Sequence, residues 1–179
     1  MVFTALLLSA VATTGVYVLE GGTAEPLGPF TFKGRLATDS EALAIDGTVF
    51  ETPEGVLYAI RSGRPEPGSD EQHLSIALMT DPWTTSGPRF LLSRPELEWE
   101  TAPVPGGARR TAINEGPAVL LHNGRTFVSY SANTCFPPDY AVGVLALAEG
   151  ADPLDTASWS KFDSPVLARS DRDWLTAHR

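Results

Sequence analysis

Two stretches decide the fold: residues 44–63, "AIDGTVFETPEGVLYAIRSG", and residues 113–133, "INEGPAVLLHNGRTFVSYSAN". Each reads as two short apolar runs joined by a turn, that is, as a hairpin. In the second the turn is Asn123-Gly124, the strongest short hairpin signal, because both residues tolerate the left-handed backbone of a tight turn. When the two stretches are laid on each other, Asp46-Gly47 meets Glu115-Gly116, 69 residues apart, and Tyr58 falls close to Tyr130. In each, a strand about to be buried opens on a carboxylate.

The likeness continues downstream. "HLSIALMTDPWTTSGPRFLLS" (73–93) matches "AVGVLALAEGADPLDTASWSKFDSPVL" (141–167), with Asp81-Pro82 opposite Asp152-Pro153 at an offset of 71. "VYVLEGGTAEPLGPFTFKG" (16–34) resembles the second half of an earlier copy, with Glu25-Pro26 in the Asp-Pro place. The chain therefore reads as half a unit followed by two full units, and an internal repeat outranks local assignments.

Runs bounded by Gly, Pro, Asn or Asp predict strands near 15–20, 29–36, 44–51, 55–62, 73–79, 88–93, 116–122, 125–131, 140–147 and 163–168. Helical periodicity is hard to find. Each unit has about four short strands, and four-stranded units repeated on this scale predict an all-β fold, a β-propeller. In a propeller the innermost strand of each blade lines a central channel. Asp46 and Glu115 then sit at the channel mouth in successive blades, with apolar strand beneath them. Gly47 and Gly116 are expected to let crowded inner strands approach, and Pro117 suits a strand start because it cannot donate to a ladder.

The bulk numbers fit. One domain is the default for 179 residues, and 42% apolar with 20% charged is ordinary globular composition. Sixteen Gly and 15 Pro suggest many turns and few long helices. A net charge of −9 argues against nucleic acid and anionic membrane as partners, since both need a basic face, and is compatible with a neutral sugar. The single cysteine, Cys135, excludes an intrachain disulfide. No apolar run reaches the length that spans a bilayer. Residues 1–15, "MVFTALLLSAVATTG", form an N-terminal strand or a signal-like segment with a cleavable Ala10-Val11-Ala12; without an n-region Lys or Arg the buried strand is preferred. Residues 16–179 are the propeller portion.

Two carboxylates facing one pocket suggest glycoside hydrolysis, which needs a protonated acid at the leaving oxygen and a second carboxylate on the other face. A carboxyl group near apolar walls and another carboxylate has its pKa raised, as an acid requires. The competing reading makes both residues turn carboxylates bonded to backbone amides.

"AIDGTVFE…GVLYAIRSG", "WE", "INEGPAVLLHNGRTFVSYSA", "DYAVGVLAL" and "DPLDTASWSKFDSPVL" together resemble glycoside hydrolase family 43, over about residues 16–168 and especially its α-L-arabinofuranosidase members. The resemblance implies a five-bladed propeller, incomplete here at about two and a half blades. It implies inverting release of terminal α-L-arabinofuranosyl residues from plant arabinan or arabinoxylan; an extracellular location is expected, with a cytoplasmic one as the alternative. Glu115 of "NEGP" would be the general acid, and Asp46 of "IDG" the residue that orients it and tunes its pKa. The third carboxylate, the general base, belongs to the first blade, and "MVFTALLLSAVATTG" contains no Asp or Glu. The "GPGHNSF"-like segment with its metal-side His also has no counterpart, and His178 is not that residue. The expectation is a family-like site weakened in this chain, with the missing propeller half or self-association covering the open ring.

Smaller expectations concern single residues. Asn114, Trp99, Tyr130 and Tyr140 are candidate sugar contacts, although core packing competes for the aromatics. Trp83 is expected to pack between blades, and Cys135 to form a loop wall. His73, His122 and His178 form no metal pattern, and no cofactor is implied. A non-catalytic carbohydrate-binding fragment and a propeller interaction module without a sugar ligand are the rival classes.

Overall fold

The computed structural model describes residues 2–5, 15–21, 29–36, 43–103, 110–133 and 139–169. The expectations for Ala10-Val11-Ala12, Glu25-Pro26, Cys135 and His178 lie outside them. Among the described residues the protein is all-β, with two 3-10 turns and no α-helix.

The strands form three antiparallel sheets. The first joins β1 (Val2–Ala5), β2 (Tyr17–Gly21) and β3 (Phe30–Arg35). The second runs β4 (Ala44–Glu51), β5 (Leu57–Gly63), β6 (His73–Asp81), β7 (Thr84–Ser93). The third is β8 (Asn114–His122), β9 (Arg125–Ala132), β10 (Ala141–Leu147), β11 (Trp159–Lys161). Each four-stranded sheet is a plain up-and-down meander, the connectivity of a propeller blade.

The sheets pack face to face. Val16, Val18 and Leu36 meet Ala59 and Met79 between the first and second sheets. Ile60, Leu74 and Ile76 meet Val128, Tyr130 and Leu145 between the second and third. Trp83 packs against the first of these cores, with the Lys33 ammonium 4.4 Å from its ring centre, so it bridges sheets as expected. At Asn123-Gly124 both residues have positive φ (50° and 73°), closing the tight β8–β9 hairpin that the dipeptide predicts. The two Asp-Pro sites adopt the same turn: Asp81 accepts from the Trp83 amide at 3.0 Å, and Asp152 from the Leu154 amide at 2.9 Å.

Three expectations need correction. The last strand is Trp159–Lys161, not 163–168. The Trp159 indole is buried and donates to the Pro153 carbonyl at 2.9 Å, which fixes the pairing with β10 there, and Leu167 makes only an isolated bridge to Val142. Second, the repeat aligns differently at the carboxylates. Both inner strands carry a bulge, between Ile45 and Thr48 and between Glu115 and Ala118. Asp46 (φ 52°) therefore matches Gly116 (φ 60°), Glu115 matches Ile45, and Tyr130 matches Arg61 rather than Tyr58. Third, only Gly47 serves close approach: a Cβ there would lie 2.8 Å from Val16 Cγ1. Gly116 is required by its positive φ instead, a Cβ there meeting only Ser131 Oγ at 3.7 Å. Pro117 occupies the bulge, where its missing N–H costs no ladder bond.

Candidate functional site

The bulges place the carboxylates. β8 lies against β4, so the two inner strands bring their bulged ends together. Asp46 takes a left-handed backbone, which Asp tolerates better than most residues. From there its carboxylate accepts the Gly116 N–H at 3.1 Å, a bond between neighbouring sheets that lies directly beside Glu115. The one-residue offset in the repeat allows this: a bulge residue from one sheet reaches the bulge of the next, and the preceding residue, Glu115, is left to present its own carboxyl.

Glu115 is half-buried, and its pKa is raised to about 7, first by burial and then by the Asp46 charge. Burial removes solvation from the ionised form, and a neighbouring anion disfavours it further. Near neutral pH a large fraction of Glu115 therefore carries a proton it can donate. Asp46 does accept a backbone amide, as the competing reading held for both carboxylates, but that amide belongs to the other carboxylate's strand.

The candidate contacts divide. Asn114 is fully buried: its amide nitrogen donates to Glu100 Oε1 at 3.0 Å and its amide oxygen accepts from Ser93 Oγ at 2.9 Å. It positions the strand and does not reach a sugar, which corrects that expectation. Tyr130 is also buried (1% exposed), and its hydroxyl donates to Glu100 at 2.8 Å, so it belongs to the core and not to the channel. Trp99 and Tyr140 share a cleft of about 420 Å3 with Arg110 and Asp139. The Trp99 ring is half-buried, stacks on Tyr130 at 6.3 Å, and is anchored by its indole N–H to the Asp163 carbonyl. No cluster of His, Cys, Asp or Glu suited to a metal is present among the described residues.

Glu100 was not among the residues singled out from sequence. It closes the 3-10 turn Glu98–Glu100, is fully buried, and pairs with Lys161 at 3.0 Å. Burial pushes its pKa up, but hydrogen bonds from the Leu97 and Glu96 amides, Lys161 and Tyr130 outweigh burial and hold it below the usual carboxylate range. The only sequence signal was its place in "EWE", just before the acid-bearing strand.

Two carboxylates brought together at the ends of neighbouring four-stranded sheets are the kind of pair that carboxylate-dependent glycosidases use. The family model for glycosyl hydrolases family 43 matches residues 1–178, and the chain belongs to that family. It is 39% identical over 157 residues to an extracellular exo-alpha-(1->5)-L-arabinofuranosidase of Streptomyces avermitilis, covering 87% of this chain and 31% of that protein. It is 33% identical over 181 residues to alpha-L-arabinofuranosidase 43 of Humicola insolens, covering 99% of this chain and 36% of that protein. The crystal structure of an alpha-L-arabinofuranosidase from Lactobacillus brevis superposes with a TM-score of 0.76 at 34% identity, covering 88% of this chain and 47% of that one. The chain thus spans less than half the length of each of these relatives.

Proposed function

We propose that this chain carries the acid half of an inverting glycosidase site that removes terminal α-L-arabinofuranosyl residues from arabinan or arabinoxylan outside the cell. Glu115 protonates the departing glycosidic oxygen. Asp46 orients it across the sheet boundary, and burial together with the Asp46 charge keeps its proton on near neutral pH. Trp99 and Tyr140 line a separate cleft with Arg110 and Asp139, one that neither Glu115 nor Asp46 lines. The chain is about two and a half blades of a five-bladed ring. Exposed Phe32 on β3 (60%) and Leu120 on β8 (59%) mark outward faces against which further blades, or a second copy, would pack.

One observation carries this reading: Asp46 of one sheet is bonded to the Gly116 amide directly beside half-buried Glu115 of the next, and burial with the Asp46 charge raises the Glu115 pKa to about 7.

The test exploits the leaving group. An aryl arabinofuranoside with p-nitrophenolate as leaving group needs little protonation, whereas an arabino-oligosaccharide needs it fully. Glu115→Gln should lose oligosaccharide cleavage about 10²-fold or more while keeping most of the aryl activity. Equal, background-level rates for wild type and variant on both substrates would favour the second reading, a non-catalytic carbohydrate-binding fragment.

A further inference from the structure

The backbone that presents Glu115 is held by a buried polar cluster that the proposed chemistry does not use directly. Every contact to the Glu100 carboxylate comes from a donor. Oε2 accepts the Glu96 and Leu97 amides, each at 2.9 Å; Oε1 accepts Asn114 Nδ2 at 3.0 Å and the Tyr130 hydroxyl at 2.8 Å; Lys161 Nζ donates to both oxygens at 3.0 Å. One carboxylate thus gathers β8, β9, β11 and the segment that leads into β8. Asn114 is held at every polar group besides: Ser93 on its side-chain oxygen, Ser62 Oγ on its carbonyl at 2.8 Å, and the Gln72 carbonyl on its N–H at 3.0 Å. The next residue in the chain is Glu115.

We infer that Glu100 is a positioning residue that acts through Asn114 to fix the seat of Glu115 beside Asp46. The chemistry of the cluster supports the assignment. Five donor groups converge on Glu100, so a neutral amide at that position would turn an N–H toward other donors, and the arrangement requires a carboxylate. The Lys161 ammonium compensates that buried charge, with Glu96 a further 3.9 Å from it and the Tyr130 ring beneath it. Besides the β8–β9 backbone pairing, the bond from Asn114 Nδ2 to Glu100 is the side-chain link between this cluster and the residue that precedes the acid. Because burial is the main reason Glu115 retains its proton, slack at residue 114 would let water reach the carboxyl and lower its titration midpoint. The inference rests on the reading that Glu115 is the proton donor, but its test does not read activity.

Carbon-13 carboxyl resonances would be titrated in the 179-residue chain, with the Glu115 signal assigned by its loss in Glu115→Gln, alongside thermal melts. Asn114→Ala removes the bond to Glu100, together with the one from Ser93, and leaves Glu100 its other four donor groups; the Glu115 midpoint should fall by at least about 0.5 pH unit. Glu100→Gln should shift it in the same direction. Tyr130→Phe removes a different donor from the same cluster and should lower the melting temperature without moving the midpoint. An unchanged midpoint in Asn114→Ala, or the same shift in Tyr130→Phe, would reduce the cluster to general structural support and overturn the inference. If Glu100→Gln does not fold, Asn114→Ala against Tyr130→Phe decides alone. A wild-type midpoint near 7 with no hydrolysis would sink the catalytic reading and leave this inference standing.

Discussion

The raised pKa of Glu115 has a consequence for stability that needs no substrate. A carboxyl that ionises near 4.5 in the unfolded chain and near 7 in the folded one holds more protons when folded between those values. Stability therefore falls as pH rises through that window, and the loss is complete above about pH 7. At 1.36 kcal/mol per pKa unit the shift sets a ceiling of about 3.4 kcal/mol. Glu115 is only partly buried, and solvent screening reduces the effect to about 1–2 kcal/mol. Glu115→Gln keeps the shape and removes the ionisation. In urea denaturation the variant should match wild type near pH 4 and exceed it by about 1–2 kcal/mol at pH 8, each kcal/mol also raising Tm by about 2–4 °C. A stability difference that does not vary with pH, or a wild type more stable than the variant at pH 8, would refute the argument.

Two further outcomes follow from packing. Lys161→Met removes the compensating charge from fully buried Glu100, and chemical denaturation should show a loss of about 3–5 kcal/mol, far above the cost of breaking a surface pair such as Arg94–Glu96. Gly143→Ala would press a methyl against the Tyr130 ring and to 2.7 Å from Trp99, two rings held by the Glu100 and Asp163 bonds, so a loss of about 1–3 kcal/mol is expected by the same assay.

Much of the fold was legible because local chemistry dictates it. Asn123-Gly124 can hardly serve except as a tight turn, and two Asp-Pro steps at a fixed phase mark the same outer corner twice. Asp46 and Glu115 could be singled out because a charge at the head of an apolar strand needs a reason. Their relation could not be read correctly, since it depends on bulges. Sequence laid Asp46 on Glu115 as equivalents, whereas in space Asp46 is the equivalent of Gly116 and reaches across to it. The strand expected at 163–168 failed for a similar reason: the Trp159 indole bond to Pro153, a tertiary contact, sets where pairing ends. Asn114 looked like a sugar contact because it adjoins the acid, and Tyr130 because inner strands line channels. Both are committed to Glu100, whose partners run from residue 96 to residue 161, and no local pattern announces a cluster assembled over that separation.

Burial and the charge of Asp46, from the adjacent sheet, together raise the pKa of Glu115. The most direct test is the carboxyl titration of Glu115 in wild type and in Asp46→Asn, a change that preserves the left-handed backbone position. The midpoint should lie near 7 in wild type and fall in the variant but stay above 4.5, because burial, the larger cause, remains. A midpoint near 4.5 in wild type, or one that Asp46→Asn leaves unmoved, would contradict this.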